Sequence, residues 1–86
     1  MTRAAEILRD LRDLPPPRPL EVALAELAAL PAGACLHLVL IHEPMPLFAL
    51  LPGRGIEWRV TTAAPGEVHV LLWRVGDELA ARLASS

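Results

Sequence analysis

Apolar positions change their period along this chain, and each change marks a new element. Leu20, Leu24, Leu27 and Ala28 recur at i, i+4, i+7 and i+8, the stripe of an amphipathic helix. Pro19 suits a first helical turn, where its missing N–H costs nothing, and Glu21 complements the positive end of the helix dipole. Pro31 and Gly33 stop the pattern, so the spacing predicts a helix over 18–30. Residues 34–41 are a short run rich in Leu, Val and Ile between a glycine and a proline, which reads as a buried strand. Its even positions, Leu36, Leu38 and Leu40, form one face, and Cys35, His37, Val39 and Ile41 the other. After the rigid turn His42-Glu43-Pro44-Met45-Pro46, residues 46–51 suit a short helix with Leu47, Leu50 and Leu51 inward. Residues 56–62 alternate strictly, with Ile56, Trp58, Val60 and Thr62 opposite Glu57, Arg59 and Thr61. A second strand over 67–74 follows the turn Ala64-Pro65-Gly66, which predicts a hairpin. Asp77 is placed as an N-cap for a helix over 78–83.

The first fourteen residues fit two patterns. Ala4, Ile7, Leu8, Leu11 and Leu14 approach helical spacing, whereas Leu8 to Arg12 equally fits an edge strand. The run Pro15-Pro16-Pro17-Arg18-Pro19 stops either one. Taking the strand gives the order β-α-β-α-β-β. That order predicts an α/β two-layer sandwich: a four-stranded mixed sheet with two helices on one face, plus a short C-terminal helix.

Length and composition narrow this further. Eighty-six residues allow one domain, with a core over 8–74 and a tail or helix over 75–86. Hydrophobic residues make up 53%, too many for a disordered chain and enough to suggest a covered surface. Eight arginines, no lysine and ten acids give a net charge of −2, without the basic stripe that nucleic-acid binding needs. Cys35 is the single cysteine, so no intrachain disulfide is available. No apolar run approaches the roughly 20 residues of a membrane span, and the amino end carries regular charge rather than a secretory core. A cytoplasmic location, no nucleic acid and no membrane are therefore expected.

The segment Arg12-Asp13-Leu14-Pro15-Pro16-Pro17-Arg18-Pro19-Leu20 resembles the signature of SirA/TusA-like sulfur-carrier domains, Leu-Asp-x-Arg-Gly-Leu-x-Cys-Pro-x-Pro. Asp10, Arg12, Leu14, Pro17 and Pro19 match it. The chain is closer still to an uncharacterised SirA-like family with a Leu-Pro-Pro-Pro-Glu-Pro-Leu segment and a His-Asp-Pro-x-Pro-Leu turn, here His42-Glu43-Pro44-Met45-Pro46-Leu47. That family often carries an aromatic beside an acid in its third strand, here Trp58 and Glu57. The resemblance spans about residues 8–74 and implies the carrier fold. It also exposes a departure: the position of the carrier cysteine is Pro16, which has no thiol to hold a persulfide. Asp13 replaces the carrier glycine, and Arg18 stands between the last prolines where the closer family has Glu. Partners in sulfur, redox or nitrogen-oxide metabolism are what the resemblance suggests.

Three groups of residues are candidates for function. In α/β units ligands bind beyond the carboxyl ends of parallel strands, where helix amino ends point. The 15–19 loop and the 42–46 turn should meet there, placing Arg12, Pro16, Arg18, His42 and Glu43 in a small site. The competing reading is that the prolines only set helix starts and that His42 caps one. The second group is the other sheet face, where Val39, Ile41, Leu71 and Trp73 are too apolar to face water; either the 77–83 helix covers them through Leu79 and Leu83, or a second subunit does. The third is Cys35, His37 and His69, ligand types suited to zinc or copper if their strands are neighbours, though no Cys-x-x-Cys or His-Glu-x-x-His spacing occurs. No Gly-x-Ser-x-Gly, phosphate loop or paired carboxylates at useful spacing are found. The expectation is a non-enzymatic module without cofactor that binds a protein partner or a second copy of itself. The alternative is a metal- or thiol-dependent redox or sulfur-relay protein using Cys35, His37 and His69.

Overall fold

The computed structural model describes residues 5–85. The elements run β1 (Ala5–Asp10), α1 (Arg18–Ala28), β2 (Ala34–Leu40), α2 (Met45–Leu50), a 3-10 turn (Pro52–Arg54), β3 (Ile56–Ala64), β4 (Glu67–Arg74) and α3 (Glu78–Ser85). The strands form one mixed sheet in the order β1-β2-β4-β3. β1 and β2 are parallel, joined through α1, and β4 is antiparallel to both of its neighbours. The α/β sheet with helices expected from the pattern is therefore present, and within the ambiguous amino-terminal segment Ala5–Asp10 is an edge strand, lying ahead of the expected Leu8–Arg12, while Ala4 lies outside the described residues. The spacing of its apolar residues does not decide this locally; pairing of Ala5–Asp10 along Ala34–Val39 does.

The main core lies between one sheet face and the two helices α1 and α2. Leu36, Leu38, Val70 and Leu72 are fully buried there, together with Leu47 and Leu51 of the α2 region. Even positions of β2 and β4 face this layer, as the alternation predicts. On α1 the buried side chains are Ala23 and Leu27, with Leu20 and Leu24 partly buried. Ala28, counted in the sequence stripe, is exposed; alanine fits either side of a helix, and the stripe turns toward Ala23. Leu50 is likewise 40% exposed, because this short helix turns Leu47 inward and Leu51, the residue just past its end, lies four positions on along the same side. Phe48 stacks on Trp58 at 5.2 Å between ring centroids, tying α2 to β3.

Strict alternation on β3 ends at a bulge between Val60 and Thr62. Val60 pairs with Val70 of the core, but Thr62 pairs with His69 of the opposite face. One extra residue in a strand reverses every position after it, so Thr62 does not join the face of Ile56, Trp58 and Val60.

α3 packs on the opposite sheet face and adds a partial third layer. Ala80 and Ala84 are buried, and Ala84 joins Cys35 and Leu71 in a second small core flanked by Trp73 and Leu83. Leu79, expected to seal this face, is 39% exposed. Small alanines let the helix backbone approach the sheet, and they take the contact instead. Asp77 caps the helix as predicted, its carboxylate accepting from Ala80 N–H at 3.1 Å. The same carboxylate accepts from Gly33 N–H at 2.7 Å, and these two bonds, Gly33 first, hold it below the usual carboxylate range. Among the described residues no helix is long and apolar enough to cross a membrane.

Candidate functional site

The two proline turns meet at the carboxyl end of β2. Pro16, Pro17 and Pro19 from the first turn and Pro44 and Pro46 from the second rim a cleft of about 420 Å³. Its floor is Leu11, Leu14, Leu20, Ala23, Leu40 and Leu47. The local sequence explains the shape. Pro17 is the N-cap residue of α1 and Pro44 that of α2, with a further proline in the first turn of each. Helix starts can carry prolines because their first N–H groups lack partners in any case. Both helices consequently begin at the same end of the sheet, and their starts face each other across the cleft. The Pro16–Pro17 peptide is cis.

The five residues expected at this end divide into two sets. Pro16, His42 and Glu43 line the cleft. Arg18 is exposed and lies 3.8 Å from Glu21 in its own helix. Arg12 reaches the opposite sheet face: Nη2 donates to Asp10 at 2.7 Å and Nη1 to Glu67 at 3.4 Å. These Arg12 contacts, with its backbone N–H on the same carboxylate, pull Asp10 down to about 2. The cleft is thus an apolar recess with two polar residues, His42 and Glu43, on its rim. Ile41 also lines the cleft and is 43% exposed; Met45, within the second turn and outside the lining, is 63% exposed and adds apolar surface beside the rim. Neither residue type nor local period reveals the apolar floor, since its leucines come from separate segments of the chain.

The other sheet face is shared. α3 occupies the half bearing Cys35, Leu71 and Trp73, so Leu71 is buried and Trp73 half-buried, with its indole N–H donating to Glu57 at 3.0 Å. Val39 is buried as well. Of the four apolar residues assigned to this face, Ile41 alone is exposed.

β2 and β4 are neighbours, and His37 and His69 meet on that face with 2.7 Å between His37 Nε2 and His69 Nδ1. Cys35 does not complete a triad with them. It is fully buried beneath α3, and burial, reinforced by the nearby Glu6 carboxylate, pushes its thiol up to about 11. Among the described residues no group of three or more His, Cys, Asp or Glu side chains is arranged to hold a metal ion.

No curated protein and no solved structure matches this chain. A family model, described as an uncharacterized conserved protein family (DUF2249), matches residues 9–74, the span holding both proline turns, the whole cleft and three complete strands; the chain belongs to that family.

Proposed function

We propose that this domain is a non-catalytic binding module whose partner is a protein that inserts apolar side chains into the proline-rimmed cleft. The observation that carries the reading is the cleft itself: an open recess of about 420 Å³, within the size range of binding sites, roughly 300–1,000 Å³. Prolines set its rim, so little backbone freedom is lost when something binds. Ile41 of the lining is itself exposed and Met45 adds apolar surface beside it, which favours a macromolecule over a small ligand, as exposed apolar area at a recess and methionine at its edge are features of protein contacts. Among the described residues the lining holds no cysteine, serine or threonine, and the resemblance to SirA/TusA-like carriers puts Pro16 where those proteins hold their sulfur. A carrier-shaped domain that binds without accepting sulfur is consistent with both points.

Selection of displayed peptides against the whole chain tests this. Selected sequences should share one or two large apolar anchors, and binding should fall at least tenfold in the Ile41→Glu, Met45→Glu double variant. Both side chains are already exposed, so the variant's unfolding midpoint should stay near that of the wild type. Peptides without an apolar anchor, or with unchanged affinity for the double variant, would overturn the reading. A concentration-dependent dimer abolished by the same two charges would identify the partner as a second copy.

A further inference from the structure

The sheet half that α3 leaves open carries a continuous chain of polar contacts. His37 Nδ1 lies 3.1 Å from Glu6 Oε2, His37 Nε2 lies 2.7 Å from His69 Nδ1, and His69 Nε2 lies 3.0 Å from Glu67 Oε2. Glu67 in turn accepts from Arg12, which also holds Asp10. Both imidazoles are mostly shielded, with side-chain exposures of 19% and 24%.

Counting protons along this chain defines its charge. An ionised carboxylate only accepts, so each outer ring nitrogen, facing a glutamate, must carry a hydrogen. The central contact needs one more, held by one ring and accepted by the other. Three contacts therefore require three hydrogens on four ring nitrogens. Two neutral imidazoles supply only two, leaving one short contact between lone pairs. Two imidazolium rings supply four, and then two N–H groups oppose each other across 2.7 Å. Only a pair with one extra proton satisfies every contact. We propose that His37 and His69 are a proton-sharing dyad, a pH-sensitive element that sets the charge of the open half of the sheet.

The surroundings support a singly charged pair. From β1, Glu6 bonds one ring and Asp10 lies near the other. From β4, Glu67 bonds the second ring, and Arg12 offsets part of this negative charge. Cys35 on β2 is a buried, protonated thiol. Arg59 on β3 is drawn away to the carbonyl of Ala84, and Glu78 and Arg82 of α3 are exposed, with neither bonded to a ring. A second proton has no acceptor within the dyad, so taking it up must break the central contact. The rings then separate, each retaining its own glutamate. Because β2 and β4 are held by backbone bonds, the fold survives the change.

Nitrogen NMR of the full chain labelled with 15N reads this directly. Near neutral pH, His37 Nε2 and His69 Nδ1 should show scalar coupling across their shared hydrogen, and both outer nitrogens should have protonated-type shifts. On acidification the coupling should disappear while backbone amide positions outside this face stay unchanged. Changing His37→Asn should convert the titration of His69 to a simple one-proton curve. Absence of the coupling at every pH, or a His69 titration identical in wild type and His37→Asn, would overturn the proposal. The cleft is untouched by this variant, so this result is independent of peptide binding.

Discussion

Cys35 sits at the amino end of β2, fully buried under α3, far along the strand from the proline turns at its carboxyl end. In isolation a cysteine thiol ionises at about pH 8.5; here burial pushes it up to about 11. At pH 8 the native thiolate fraction is then about two orders of magnitude below that of the unfolded chain, before access is considered. Alkylation at pH 8 should accordingly be at least that much slower in native protein than in denaturant, by mass spectrometry; equal rates would contradict the buried placement. Asp77 has the opposite shift for the opposite reason, since it is held by backbone N–H groups of Gly33 and Ala80. A carboxylate with a lowered folded value stabilises fully above its unfolded value, about pH 4, and loses that contribution as pH falls through the folded value. Replacing Asp77→Ala should lower the thermal midpoint by a few degrees at pH 7, and the two midpoints should converge in strong acid. A difference that persists unchanged at pH 2 would assign the effect to something other than the charge.

At the scale of elements, the strands close the ends of the helices. The last turn of α1 has no basic residue of its own. Instead Arg74 of β4 donates to the carbonyls of Leu27 and Leu30 at the end of α1, the Leu27 contact at 3.2 Å. Arg59 of β3 donates to Ala84 at the end of α3. Free carbonyls at a helix terminus attract cations, and these guanidiniums arrive from residues far away in sequence. The period of two marks Arg59 only as a polar position facing away from the core. Its use as a helix closure becomes visible once α3 lies across that face. Gly33 makes the turn into β2 with a φ of 81°, a left-handed conformation that suits glycine, and it presents the N–H that Asp77 accepts from. The first loop after α1 and the cap of the last helix are thereby joined.

For the molecule as a whole, stability rests on the sheet and the α1–α2 layer. Leu38 is fully buried at the centre of that core. Leu38→Ala should cost about 2–5 kcal/mol in urea unfolding, a large share of the roughly 5–15 kcal/mol typical of a domain. Leu8→Ala is the matched control: Leu8 lies on the edge strand β1 and is 56% exposed, so its effect should stay within about 0.5 kcal/mol. Equal losses at the two positions would mean that the core is not where the structure places it. The two candidate activities use different parts of this frame. The cleft lies at the proline end between the helices, and the histidine pair lies on the outer sheet face.

Much of this architecture is legible in the order of residues. Alternation on β2 and β4 assigns their faces, prolines mark the starts of α1 and α2, and Asp77 marks that of α3, because these are local properties of a chain that must hide leucines and satisfy backbone groups. What local periods do not contain is distance between segments. The bulge between Val60 and Thr62 depends on pairing with β4, and the alanine face of α3 depends on the close approach of the sheet. Arg12 leaves the proline end because Asp10 and Glu67 reach it from two strands. His37 and His69, 32 residues apart, meet only because β4 lies beside β2. Contacts of that kind are decided by tertiary packing, which determines which side chains share a face, a proton or a cleft.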